Sequence, residues 1–386
     1  MLTSRLIEKT LTFKAPAGTS RGTYLTRRVY YIVLKDLTTS RIGIGECAPL
    51  PKLSCDDVPD YVERLKSFLA ETTQTGVMPS GDINDFPSIR FGLETALMHL
   101  RVGHLRFWDT PFARGRASLP INGLIWMGTK AEMHTRIEEK MAQGFRCLKL
   151  KIGAIDFDDE LDLLNGIRRS FPANRLELRV DANGAFTPDE ALQKLQALAC
   201  FDIHSIEQPI RAGQWDAMRH LCDTSPIPIA LDEELIGLNH ISDMAKMLDA
   251  VKPAYIILKP SLHGSFSGCC TWLKLAQARG IGTWATSALE SNVGLNAIAQ
   301  WAAAVMPTNV VQGLGTGQLF TDNITSPLYL EGDQLYFDPL EEPEKPYEAI
   351  YQNMSPNNSH RTKPQNGKIV VCICSDREFK HNVHQT

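Results

Sequence analysis

The chain has 386 residues, 43% hydrophobic and 22% charged, with a formal net charge of −4. That length supports one large domain with a smaller one, or two of similar size, and the slight acidity favours no polyanionic partner such as nucleic acid. No apolar run approaches the ~20 residues that span a bilayer, and the first six residues carry no apolar core after their basic residue, so neither a membrane segment nor a secretory leader is expected.

The chain is expected to open with antiparallel strands. Residues 5–13 alternate, 28–37 are rich in Val and Tyr, and 41–46 make a third run. The stretch 18–22 between the first two is expected to be a mobile loop, and 45–51 ends the third strand in another loop. Helical spacing follows over 58–72 and 88–103; in the second, Phe91, Leu93, Ala96, Leu97 and Leu100 recur along one face. Together these pieces read as an α+β module over 1–116.

From Ala117 the rhythm changes to strand then helix. Strands are predicted near 118–126, 147–153, 175–182, 203–208, 227–232, 254–260, 282–288 and 309–313. Helices are predicted between them, near 131–143, 158–169, 188–199, 215–223, 241–247, 266–279 and 292–305. This alternation implies an α/β fold with parallel pairing and right-handed crossovers, and eight such strands fit a closed TIM-like barrel over 117–317. An open doubly wound sheet is the alternative, but no glycine-rich G-x-G-x-x-G turn follows an early strand. After Gly317 the short strands 328–330 and 334–337 are expected to return to the N-terminal sheet, so 318–340 is grouped with the first module. Residues 341–386 read as an extension, mostly linker or disordered. Cys372, Cys374, His381 and His384 do not match zinc-site spacings. The nine cysteines, odd in number and scattered, point to reduced thiols and a cytoplasmic location.

The chemistry lies at the ends of the barrel strands. Asp181, Glu207 and Asp232 are separated by 26 and 25 residues, one strand–helix unit each, and Lys259 lies 27 residues further on. Lys149 and Lys151 share one face of the preceding strand. Strand C-terminal ends are where barrel enzymes collect their sites. Three carboxylates suit Mg²⁺, with Mn²⁺ possible, better than zinc. Lysine repulsion together with the cation should lower a lysine's pKa until it serves as a base. The expected reaction is removal of a proton next to the carboxylate of a small-molecule substrate, with the cation stabilising the enediolate.

The ordered set K-x-K, D-x-N-G, E-Q-P, D-E and L-K-P resembles the enolase superfamily, in its muconate-lactonising-enzyme-like subgroup. The resemblance covers residues 1–340. It implies a modified (β/α)7β barrel closed by an α+β N-terminal capping domain. It also implies acid/base roles for Lys151 and Lys259, a supporting role for Lys149, and metal ligation by Asp181, Glu207 and Asp232. Asn183 and Glu233 would orient those ligands. The segments Leu258-Lys-Pro-Ser-Leu-His-Gly264, Ser287-Ala-Leu-Glu-Ser-Asn-Val-Gly294 and Gly45-Glu-Cys-Ala-Pro-Leu-Pro51 are similar to those of the o-succinylbenzoate synthase family. That family implies a Mg²⁺-dependent carbon–oxygen lyase of menaquinone biosynthesis, with Lys151 as acid and base and Lys259 as electrostatic partner. Thr286, Ser287 and Arg21 are the candidate substrate contacts. An N-acylamino acid racemase or dipeptide epimerase is the alternative on the same site, and a non-catalytic binding barrel is the alternative from another class. The sequence carries no signal of oligomeric state.

Overall fold

The structure, a computed structural model, describes residues 1–19 and 22–339 together with Tyr347 and Ile350. Strands β1 (Leu2–Thr19), β2 (Gly22–Asp36) and β3 (Ile42–Cys47) form an antiparallel sheet in that order. The central strand is buried on both faces, and its period of two divides the core. Val29, Tyr31 and Val33 pack with Leu11 and Ile44. Tyr30, Ile32 and Leu34 pack on the other side against α1 (Tyr61–Thr75) and α2 (Pro87–Val102). Here β3 meets α2 backbone to backbone: a Cβ on Gly45 would stand 1.8 Å from the Gly92 carbonyl oxygen, so this approach requires glycine. Pairing runs on to Gly18↔Thr23 and Thr19↔Gly22, so residues 18, 19 and 22 of the stretch expected as a loop lie in the strands. Gly22, the first residue of β2, sits at φ +120°, which glycine adopts without strain.

The second unit begins with β4 (Leu119–Pro120) and β5 (Gly123–Ile125). There follow α3 (Lys130–Ala142), β6 (Cys147–Lys151), α4 (Phe157–Ser170), β7 (Glu177–Asp181), α5 (Pro188–Leu198) and β8 (Ile203–Glu207). The series continues with α6 (Trp215–Thr224), β9 (Ile229–Leu231), α7 (Ile241–Val251), β10 (Tyr255–Leu258), α8 (Ser265–Gln277), β11 (Gly282–Ala285) and α9 (Asn292–Val305). Strands β5 to β11 pair in chain order, every pair parallel.

The eighth strand is shorter than predicted. It is reduced to parallel bridges from Gln312 to Ile121 and from Gly313 to Thr286. These close the ring, with Asn122 N donating to Gln312 O at 3.0 Å and Gly313 N to Ala285 O at 2.8 Å. The Gln312 side chain substitutes for missing ladder bonds, because its Oε1 accepts from Ala285 N at 2.7 Å. Seven strand–helix pairs and a last bare strand make the (β/α)7β barrel.

The hairpin β12 (Leu328–Glu331) and β13 (Gln334–Phe337) does not join the N-terminal sheet as expected; β13 pairs with β4. Leu335 and Phe337 bury into the barrel's core with Phe112 and Leu119, which fixes that choice. Only the segment before it returns to β1, through Lys14 N to Leu319 O at 2.8 Å and Thr321 N to Thr12 O at 2.9 Å. Of the expected extension, Tyr347 and Ile350 are buried in the cluster with Leu105, Val293 and Phe320; the other calls there lie outside the described residues. Cys47, Cys55, Cys147, Cys200, Cys222 and Cys269 are free thiols. Among the described residues no helix is long and apolar enough to cross a membrane.

One carboxylate from the first sheet ties the two units together. Glu46, fully buried at the end of β3, accepts from Ser291 N at 2.8 Å, Ser291 Oγ at 2.6 Å and Gly294 N at 2.8 Å. It thereby satisfies amides at the start of α9 that no carbonyl of that helix reaches.

Candidate active site

The predicted ladder assembles at the C-terminal ends of adjacent strands. Lys149 and Lys151 belong to β6, Asp181 ends β7 and Glu207 ends β8. Asp232 and Lys259 each follow the last residue of β9 and β10. The parallel register sets Lys151, Asp181 and Glu207 at one level. Lys151 and Lys259 lie four strands apart in an eight-strand ring, hence on opposite sides of its mouth. The lysine side chains keep 12% exposure while the three carboxylates keep 0–3%, so the ammonium groups face the cavity above the acids.

The contacts are dense. Lys149 Nζ meets Asp181 Oδ2 at 2.8 Å and also pairs with Glu207 Oε2. Lys151 Nζ donates to Asp181 Oδ2 at 2.5 Å and to Asn183 Oδ1 at 2.7 Å. Asn183 Nδ2 donates to Glu233 Oε1 at 3.0 Å, so Asn183 links Lys151 to the acid beyond. Lys259 Nζ pairs with Asp232 Oδ2. Asn183 adopts φ +45°, the left-handed backbone that Asn tolerates better than most residues.

These pairings set the charges. Burial alone would raise Asp181, but Lys149 and Lys151 hold it well below the ordinary carboxylate range. Glu207 is pushed well up, by burial first and then by the Asp181 charge beside it. Two acids that share one lysine split in this way. For Asp232, burial is outweighed by Lys259, and the result is a lowered pKa. Glu233 is raised by burial and by Asp232.

The expected lowering of a lysine pKa supposed a bound cation; facing the carboxylates alone, Lys149 and Lys259 are raised. Burial lowers each, but carboxylates dominate: Asp181 and Glu207 raise Lys149, and Asp232 with Glu207 raises Lys259. The carboxylates outweigh the neighbouring ammonium groups, although Lys149 and Lys151 share Asp181 Oδ2 and Lys149 itself acts to lower Lys259.

The donor set fits a hard divalent cation in chemistry. Among the described residues Glu207 Oε1 and Asp232 Oδ1 are buried without a hydrogen-bond partner, a costly state for a carboxylate oxygen unless something else neutralises it. Among the described residues no group of three or more His, Cys, Asp or Glu side chains is arranged to hold a metal ion, and lysines pair with oxygens of all three acids.

Above the acids lies a cavity of about 300 Å³. Lys149, Lys151, Asn183, Glu233, Lys259, Thr286 and Ser287 all line it. Thr286 Oγ1 donates to Gly313 O at 2.7 Å, which commits its proton and leaves it only to accept. Ser287 Oγ lies 2.6 Å from Thr316 Oγ1, and that pair keeps one hydroxyl proton for a ligand. Arg21 lies outside the described residues.

Sequence reasoning missed several groups. Gln208, buried at φ +41°, accepts from Asp232 N and Glu234 N at 3.3 Å and donates to Glu234 Oε2 at 3.1 Å. It ties the strand of Glu207 to that of Asp232; its place beside Glu207 in E-Q-P was the available signal. His263 Nδ1 accepts from Lys259 N at 3.0 Å, and burial pushes its pKa down to about 3, so the ring is neutral. The apolar wall formed by Tyr24, Leu50, Leu53, Trp126 and Leu289 gave no sequence signal, since these residues come together only from distant loops.

Comparison with known proteins supplies the context. Residues 132–336 match the family model "Enolase C-terminal domain-like", and 14–100 match "MenC, N-terminal domain". The chain is 48% identical over 357 residues to o-succinylbenzoate synthase of Desulfotalea psychrophila, covering 84% of this chain and 96% of that one. It resembles the crystal structure of MenC from that organism with a TM-score of 0.74 and 43% identity, over 87% of this chain and 99% of the other. A substrate-liganded L-Ala-D/L-Glu epimerase from Bacillus subtilis matches with a TM-score of 0.73 over 86% of this chain and 95% of its own. At 19% identity that likeness shows the fold alone.

Proposed function

The chain belongs to the o-succinylbenzoate synthase family of the enolase superfamily, and from that premise we propose that it dehydrates 2-succinyl-6-hydroxy-2,4-cyclohexadiene-1-carboxylate to 2-succinylbenzoate in menaquinone biosynthesis. The observation that carries the reading is a cavity with lysines on opposite walls and three buried acids beneath it, in a chain 48% identical to a relative of that name.

Asp181, Glu207 and Asp232 are the residues that would hold Mg²⁺, with Mn²⁺ an alternative. Bound there, the ion would supply positive charge against the substrate's ring carboxylate, favouring loss of the neighbouring proton. Lys151 in its neutral form takes that proton. The same ammonium then protonates the departing hydroxyl on the same face, so water leaves and the ring becomes aromatic. Asn183, held by Glu233, accepts from Lys151 at 2.7 Å and fixes its direction. Lys259, on the opposite wall, remains an ammonium and steadies the negative charge developing on the substrate. Lys149 pairs with both Asp181 and Glu207 and holds them in place. The hydroxyl pair of Ser287 and Thr316 offers its free proton to the succinyl arm, with Thr286 beside it. The capping unit, proposed as 1–116, closes over the barrel of 117–317 and keeps bulk water from the cavity.

Incubating the protein with the cyclohexadiene substrate and Mg²⁺ tests this reading. 2-Succinylbenzoate should accumulate. No product from a folded preparation that binds Mg²⁺ would overturn it, and racemisation of N-succinyl amino acids by that preparation would put an epimerase reading in its place.

A further inference from the structure

Arg27, in β2, has entered none of the roles above. Its side chain is 1% exposed. Its guanidinium donates to backbone carbonyls of two separate loops. Nη1 reaches Pro49 O at 2.6 Å and Nη2 reaches Ala48 O, both in the loop after β3. Nε reaches Leu289 O at 3.2 Å and Nη2 also reaches Ala288 O at 3.3 Å, both in the loop after β11. The first loop belongs to the capping unit, the second to the barrel.

Both loops wall the cavity. Leu50 and Leu53 come from one; Ser287, Ala288 and Leu289 come from the other. Leu289 sits at φ +63°, which is strained for a residue with a branched side chain. Its carbonyl is held in that pose by Arg27. A buried guanidinium with no direct carboxylate partner among the described residues is costly, and a planar fork that satisfies four carbonyls at once is what makes it tolerable. Glu46 and Glu290 are close enough to act on it by charge. Their own oxygens are engaged elsewhere: Glu46 with Ser291 and Gly294, Glu290 with Ser261 and Ala288 N. Lysine, with a single point of charge, cannot span both loops in this way.

We infer that Arg27 is a positioning residue that sets the gap between the capping loop and the loop after β11, and thereby the recognition of the substrate's polar acyl arm. The inference rests on the proposed reaction for the identity of that arm. It assigns Arg27 no contact with the reacting atoms. The contacts it maintains are the same in bound substrate and in transition state, so their loss raises KM and leaves kcat nearly untouched.

The test uses Arg27→Lys and Arg27→Gln in the full chain. With the cyclohexadiene substrate, KM should rise about tenfold or more while kcat stays within about threefold. Mg²⁺ affinity by calorimetry should be unchanged, and the lysine variant should recover part of the loss. Wild-type kinetics in either folded variant would overturn the inference, as would a fall in kcat accompanied by lost Mg²⁺ binding. A hydrogen-exchange comparison without ligand keeps the question open to refutation if the glutamine variant does not fold. Segments 48–54 and 287–291 should lose protection together in Arg27→Lys, whereas loosening of one alone would overturn the role. Because that readout needs no turnover, it separates failure of this inference from failure of the proposed reaction.

Discussion

Replacing Glu46 with glutamine sets two opposing effects against each other across pH. Burial, offset in part by its hydrogen bonds to Ser291, raises the Glu46 carboxyl from its ordinary 4.5 to about 7. A carboxyl raised on folding stabilises the fold fully below about pH 4.5, and that contribution is lost as pH climbs to about 7. The rise corresponds to about 3 kcal/mol between the ends of that window. Glutamine removes the dependence. Its amide oxygen can still accept from Ser291 N, and its NH₂ can donate to Ser291 Oγ, but that NH₂ then faces the Gly294 N–H. One buried amide left without an acceptor costs about 1–3 kcal/mol. At pH 5 the variant should therefore be less stable than wild type by that amount. By pH 8 the difference should vanish or change sign. Urea unfolding at pH 5, 6, 7 and 8 measures this directly. Parallel stability curves for the two proteins would refute the reasoning, since they would mean that Glu46 binds its proton equally in both states.

Further outcomes are expected. Gly153 follows Lys151 closely at φ +90°, and a Cβ there would lie 2.4 Å from Ala185 Cβ; Gly153→Ala should lower stability by about 1–3 kcal/mol and reduce turnover, read by thermal melts and initial rates. Asp232→Asn should weaken Mg²⁺ binding at least tenfold by calorimetry, and unchanged affinity would remove Asp232 from the proposed ligand set. Lys259→Arg keeps the positive charge and should retain dehydration within about a hundredfold, while abolishing any racemisation of N-succinyl amino acids, which needs a proton donor on that face.

The barrel was legible because its signals are local. Each strand is a short apolar run, each helix has its own spacing, and the near-equal steps between Asp181, Glu207, Asp232 and Lys259 report one strand–helix unit apiece. The eighth strand was overestimated because Gln312 completes the ring with its side chain, which no strand pattern encodes. The 328–337 hairpin was assigned to the wrong sheet because its own residues do not name their partner; the choice rests on Leu335 and Phe337 burying beside Leu119 and Phe112. The acids that face the lysines were not legible for a related reason. The sequence shows two lysines close together, whereas the fold sets an acid against each ammonium. Arg27 was invisible and Gln208 gave only its place in E-Q-P, since among the described residues Arg27 bonds to carbonyls and Gln208 largely to backbone groups, and a backbone group carries no residue type to search for.

The central claim is that Lys151 alone moves the proton within this cavity, and it is tested most directly by comparing product formation by wild type and Lys151→Ala at saturating Mg²⁺, with metal binding verified in both. The account predicts 2-succinylbenzoate from the wild type and a rate lower by about 10²–10⁴ from the variant. Equal rates from the two proteins would contradict it.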